Sequence, residues 1–147
     1  MNQFILAVFW ILSIIFIIFY PMLISIYVFL PLMIGAIGYL FIIGLEESNR
    51  SYIIFTVIYM VNLEVNLSLP LFLILITVLS FYLAIYPTLL ILKECKMCVA
   101  VLSAVFIDLL YFIALVGYDF VFQEVSIVVD QLLFYTLFVD MIMVLLL

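Results

Sequence analysis

Apolar side chains run almost unbroken along this chain, and the polar residues fall into short gaps between the runs. From Met1 to Leu45 there is no acidic or basic side chain; the first acid is Glu46 and the first base is Arg50. A helix crosses the roughly 30 Å hydrocarbon core of a bilayer in about 20 residues. This first stretch therefore has room for two crossings, with Pro21 near its middle. Runs such as Ile14–Tyr20 and Leu71–Ile76 are continuously apolar, whereas a membrane barrel needs polar and apolar residues in alternation. The pattern predicts helices. Six crossings are expected, over residues 4–20, 25–45, 52–67, 69–92, 97–117 and 126–146. Pro31 falls in the outer half of the second. Pro70 is expected in the first turn of the fourth, where its missing N–H costs nothing, and Pro87 is expected to kink that span's inner end. The longest polar gap, Glu46–Ser51, is six residues, so successive spans are expected to be antiparallel neighbours. The predicted fold is all-α: one polytopic bundle over residues 1–147, with no soluble domain and no clear internal repeat.

Composition agrees with this reading. The chain is 73% hydrophobic and 8% charged, whereas soluble domains are about half apolar and a quarter charged. No basic n-region and no small-residue cleavage site precedes Pro21, so the first span is expected to be an uncleaved anchor. The net charge is −6, and all three bases sit in two gaps: Arg50 in one, Lys93 and Lys96 in the other. Bases mark the cytoplasmic side. The opposite gaps hold Glu64, Asp119 and Glu124, so both termini are expected in the cytoplasm. No basic patch exists for nucleic acid, and no polybasic cluster for anionic lipid.

Three acids fall inside predicted spans: Asp108 at the middle of the fifth, Asp140 well inside the sixth, and Asp130 nearer its outer end. A carboxylate in hydrocarbon is costly unless protonated, hydrated or partnered. A proton or cation relay is one reading. A hydrogen-bonded acid that fixes helix contacts, or meets a polar group on another subunit, is the favoured one, with Ser103, Tyr111, Tyr135 and Thr136 as candidate partners. No Lys, Arg or His lies in any predicted span, so an internal ion pair is not expected. Cys95-Lys-Met-Cys98 has the spacing of zinc and redox sites, but there is no third cysteine and no histidine. On the cytoplasmic side its thiols are expected to stay reduced. A structural or incidental role is favoured over acylation or a metal shared across a dimer. Asn66-Leu-Ser68 matches a glycosylation acceptor but is discounted in a loop so close to the membrane. Gly35 and Gly38, three apart, are a weak helix-packing signal. With no histidine and no nucleophile–base pair, no catalytic, cofactor or metal site is expected.

The layout from residue 25 onward resembles the bacterial rod shape-determining MreD family. Its members have five or six spans and an aromatic-rich second span after a proline, as in Phe29-Leu-Pro31-Leu and Ile37-Gly-Tyr39. Their third span ends in a turn written roughly D-L-L-x-G-x-P-L-G. The corresponding stretch is Glu64-Val-Asn-Leu-Ser-Leu-Pro70-Leu71-Phe72, with the acid, Pro70 and Leu71 in place, Glu for Asp, and neither glycine. An apolar-Asp-apolar stretch in the family's fifth span is similar to Val105-Phe-Ile-Asp108-Leu-Leu. The resemblance implies a non-enzymatic scaffold of the cell-elongation and peptidoglycan machinery in the bacterial inner membrane. Its implied partners are MreC and, indirectly, MreB, RodA and its transpeptidase, in a hetero-oligomer surrounded by lipid. The rival reading is a small transporter, or a substrate-binding subunit of the energy-coupling-factor type, that uses Glu64, Asp108 or Asp140. A small subunit of a respiratory or organellar complex is a third, suggested by the Ile/Phe/Leu bias alone.

Overall fold

The computed structural model describes residues 3–27, 29–92, 94–123 and 132–146, and all regular structure in them is helical. The helices are α1 (Gln3–Ile26), α2 (Ile34–Glu46), α3 (Arg50–Asn66), α4 (Leu73–Ala84), α5 (Tyr86–Leu89), a 3-10 turn (Leu90–Leu92), α6 (Lys96–Phe122) and α7 (Leu132–Leu146). Asp130, Glu124 and Lys93, singled out above, lie outside the described residues, as does the predicted start of the last span.

The order of elements follows the predicted spans, but several boundaries move. The first helix does not stop at Tyr20; it continues through Pro21 to Ile26. Proline inside a helix leaves the carbonyl four residues earlier without its donor, here Ile17, and another helix supplies one (below). The second helix begins at Ile34 rather than Ser25, because residues 29–33 are non-helical and Met33 is left-handed, with φ 56°. Pro70 is not in the first turn of the fourth helix. Phe72 is left-handed as well, with φ 66°, and α4 begins only at Leu73. The expected kink near Pro87 is present: α4 ends at Ala84 and α5 restarts with Pro87 in its first turn. The fifth predicted span runs past Gly117 to Phe122.

Two helical stretches, Ala7–Ile26 and Lys96–Phe122, are long and apolar enough to cross a membrane. Large apolar side chains face outward on both, among them Phe9, Leu12, Phe19, Ile113 and Phe120. α6 is the hub, packing against α2, α4 and α7; α2 also meets α3 and α7, and α1 joins the bundle through α3. Ile42, Met60, Leu63, Ile74 and Ile107 are fully enclosed between them. Packing between the helices around this core is close. Gly35 shows how tight it is. A Cβ there would lie 2.7 Å from the Ala104 carbonyl oxygen and 2.8 Å from Asp108 Oδ2. At Gly38, one turn on, a Cβ would lie 3.1 Å from Ile107 and from Val78. The two glycines thus form the face by which α2 approaches α6.

Candidate functional site

Several polar side chains of the bundle gather where the helices break. A helix begins with backbone N–H groups that have no partner within it. α2 and α4 begin on Met33 and Phe72, whose side chains cannot cap them. Carboxylates from other helices do so instead. At α4, Glu64 of α3 accepts from the N–H of Phe72 at 2.6 Å and from the N–H of Ile74 at 2.7 Å. At α2, Asp140 of α7 accepts from the N–H of Gly35 at 2.7 Å. A negative charge there also meets the positive end of the helix dipole.

The two starts match in sequence as well as geometry. Leu30-Pro31-Leu32 precedes left-handed Met33, and Leu69-Pro70-Leu71 precedes left-handed Phe72. The capped N–H is the fourth residue after the proline in both, Gly35 and Ile74. Glu64 stands six residues before Pro70; the equivalent position before Pro31 is Ser25, whose hydroxyl bonds only its own helix, at Met22 O (2.7 Å). The Leu-Pro-Leu repeat is a signal that the sequence reading passed over.

Other side chains satisfy the remaining exposed backbone. The Tyr20 hydroxyl donates to Pro31 O and the Tyr59 hydroxyl to Leu32 O, both at 2.9 Å, tying down the segment before α2. The Asn62 amide donates to Ile17 O at 2.9 Å and to Ile18 O at 3.2 Å. Ile17 O is the carbonyl that Pro21 leaves without a donor, so Asn62 repairs α1 and fastens it to α3. No sequence motif marked Asn62 or Tyr59 for these roles.

Asp108 and Asp140 come together: their carboxyl groups are within hydrogen-bonding reach of each other at the start of α2. Asp140 is fully buried and Asp108 nearly so. Of the partners expected for them, Tyr111 and Thr136 line the same small cavity of about 20 Å³. Ser103 is buried with its hydroxyl unpartnered, and Tyr135 is half exposed. Glu64 sits apart from the pair, with Tyr111 within electrostatic reach of it. Gly35 meets α6 at Ala104 and Asp108, near that helix's midpoint. α6 then continues for the fourteen residues 109–122, about 21 Å at 1.5 Å per residue, so α2 begins deep within the length of its neighbour.

Away from this layer, an open apolar groove of about 680 Å³ runs between α1, α2 and α3, lined by residues such as Phe9, Leu12, Phe16, Leu40 and Phe55. At the other end of the bundle the Tyr86 hydroxyl donates to Glu46 Oε2 at 3.0 Å. Cys95 and Cys98, expected as free thiols, are joined in a disulfide, and Cys95 Sγ accepts from the Cys98 N–H at the start of α6. A two-residue spacer at a helix start brings the two sulfurs within bonding distance whatever the compartment. The Asn66 amide of the apparent glycosylation motif is half-buried and engaged, donating to Asn62 O and Oδ1 at 2.8 Å.

No protein-family model, no curated protein and no solved structure matches this chain.

Proposed function

We propose that this chain crosses the bacterial inner membrane six times, with both termini in the cytoplasm, and works as a non-enzymatic scaffold of the cell-elongation machinery in the manner of the MreD proteins it resembles. The turn before α4 carries the reading. In D-L-L-x-G-x-P-L-G the two glycines fall on Ser68 and Phe72, and both residues are left-handed here, with φ 54° and 66°. That conformation is one glycine adopts freely and other residues adopt at a cost. The turn keeps the shape those glycines would give although neither is present. The acid at the head of the motif, Glu64, has a matching physical role as the cap of the next helix.

The use of the other polar groups supports a scaffold as well. Tyr20, Tyr59, Asn62, Glu64 and Asp140 all bond the chain's own backbone. The outward faces, above all that of α1, offer apolar side chains to lipid or to a partner's transmembrane helix. The transport reading draws on the cavity beside Asp108 and Asp140. At about 20 Å³ it is far below the roughly 300–1,000 Å³ of small-molecule sites, so that reading is left with a single ion as its cargo.

The test is recovery of the tagged full chain from native membranes in mild detergent, with a photo-crosslinking residue placed at Leu12 or Phe19. The scaffold reading expects a crosslink to a single-span periplasmic partner of the MreC type from these positions, and none from buried Ile42. Recovery solely as a monomer, without crosslinks, would contradict it.

A further inference from the structure

Asp108, Asp140 and Tyr111 converge on the small cavity together with Thr136, and apolar Leu32, Ile34, Phe112 and Leu115 make up the rest of its lining. Its size of about 20 Å³ suits one particle the size of a water molecule. Among the described residues, Asp108 Oδ2, Asp140 Oδ1 and the Tyr111 hydroxyl are buried without a hydrogen-bond partner of their own; the two carboxyl groups lie within reach of each other and of the backbone N–H groups that begin α2. Tyr111 is only 3% exposed, so its hydroxyl is largely shielded from bulk water. Two adjacent carboxylates away from water repel strongly and call for a positive charge between them. The start of α2 supplies only about half a charge. Among the described residues the bases are Arg50 and Lys96, each in the first turn of a helix at the opposite end of the bundle.

We propose that this cluster binds one monovalent cation, a proton or a sodium ion, between the carboxyl groups of Asp108 and Asp140, with the Tyr111 hydroxyl as a third oxygen ligand. A divalent ion fits poorly: calcium takes six to eight oxygens and magnesium keeps several waters, more than a space for one particle admits. Tyr20 from α1 and Tyr59 from α3 lie within electrostatic reach of Asp140, Tyr111 from α6 lines the cavity and is itself within reach of Glu64 from α3, while α2 contributes only backbone N–H groups. The site stands independently of the scaffold reading, since it needs no partner protein.

The probes are sodium chloride against choline chloride, and dicyclohexylcarbodiimide, which adds one-to-one to a protonated carboxyl in an apolar setting. The purified full chain is labelled in detergent from about pH 5 to about pH 9 and the modified residue is located by mass spectrometry, with thermal unfolding followed in parallel. Labelling of Asp108 or Asp140 that sodium slows by about tenfold, with a rise in the unfolding midpoint, identifies sodium as an occupant. Labelling that falls with rising pH and ignores sodium identifies the proton; both results support the site. Tyr111→Phe keeps the ring and removes the ligand, and is expected to weaken sodium protection about threefold or steepen the pH dependence without loss of fold. If neither acid is labelled and the unfolding midpoint responds to neither sodium nor pH, the proposal is overturned.

Discussion

At the start of α4 the capping carboxylate comes from the adjoining helix: Glu64 lies ten residues before the Ile74 N–H that it holds. At the start of α2 it comes from Asp140, 105 residues from Gly35. The local problem is the same in both places, a proline, a left-handed residue without a capping side chain, and an exposed set of N–H groups. The wiring differs in what must already be folded. Glu64 can cap α4 as soon as the α3–α4 hairpin closes, because a short loop costs little entropy. Asp140 can cap α2 only once α6 and α7 have packed, so the start of α2 reports assembly of the whole bundle. The difference also sets the chemistry. Glu64 spends both oxygens on backbone N–H groups, whereas Asp140 has one oxygen left to share with Asp108.

Substitutions that remove one cap and spare the other break the comparison most sharply. Glu64→Ala leaves two N–H groups of α4 without acceptors and is expected to cost about 3 kcal/mol, read by denaturant unfolding in detergent micelles. Glu64→Gln keeps one acceptor oxygen and should recover more than half of that. Gly35→Ala drives a Cβ against the Ala104 carbonyl and the Asp108 carboxyl, and is expected to cost about 2 kcal/mol. Asp140→Ala removes the α2 cap at a cost of about 2 kcal/mol, while Asp140→Asn, which can still accept from Gly35 and donate to Asp108, should cost less than half as much.

Smaller changes sharpen the picture. Asn62→Leu strips the donor that Pro21 makes necessary and is expected to cost about 1 kcal/mol, mostly by loosening α1. The single tryptophan, Trp10, packs against Phe55 of α3 with ring centroids 5.0 Å apart, so its emission should shift in that variant alone. Ser68→Gly relieves a left-handed residue and is expected to stabilise by about 1 kcal/mol, seen as a higher unfolding midpoint.

The helical class and the order of the elements were legible from unbroken apolar runs, because these lack the polar–apolar alternation of a half-buried strand. The helix starts were not. Pro31 reads as a proline within the outer half of the second span and Pro70 as an ordinary first-turn proline, and nothing in Met33 or Phe72 signals a left-handed backbone, since side-chain sterics argue against it. Asp108, Asp140 and Glu64 stood out because carboxylates in apolar runs are rare. Which acid meets which helix start depends on tertiary packing across the bundle, and spacing along the chain carries no record of it. Asn62 was missed because the carbonyl it serves became visible only once α1 was seen to run through Pro21.

Hydrogen–deuterium exchange over residues 71–76 and 33–37, compared among the unaltered chain, Glu64→Ala and Asp140→Ala, tests most directly whether these acids are helix-start caps. The account expects Glu64→Ala to speed exchange at the start of α4 and leave α2 protected, and Asp140→Ala to do the reverse. Unchanged protection in both variants, or equal loss at both starts in each, would contradict it.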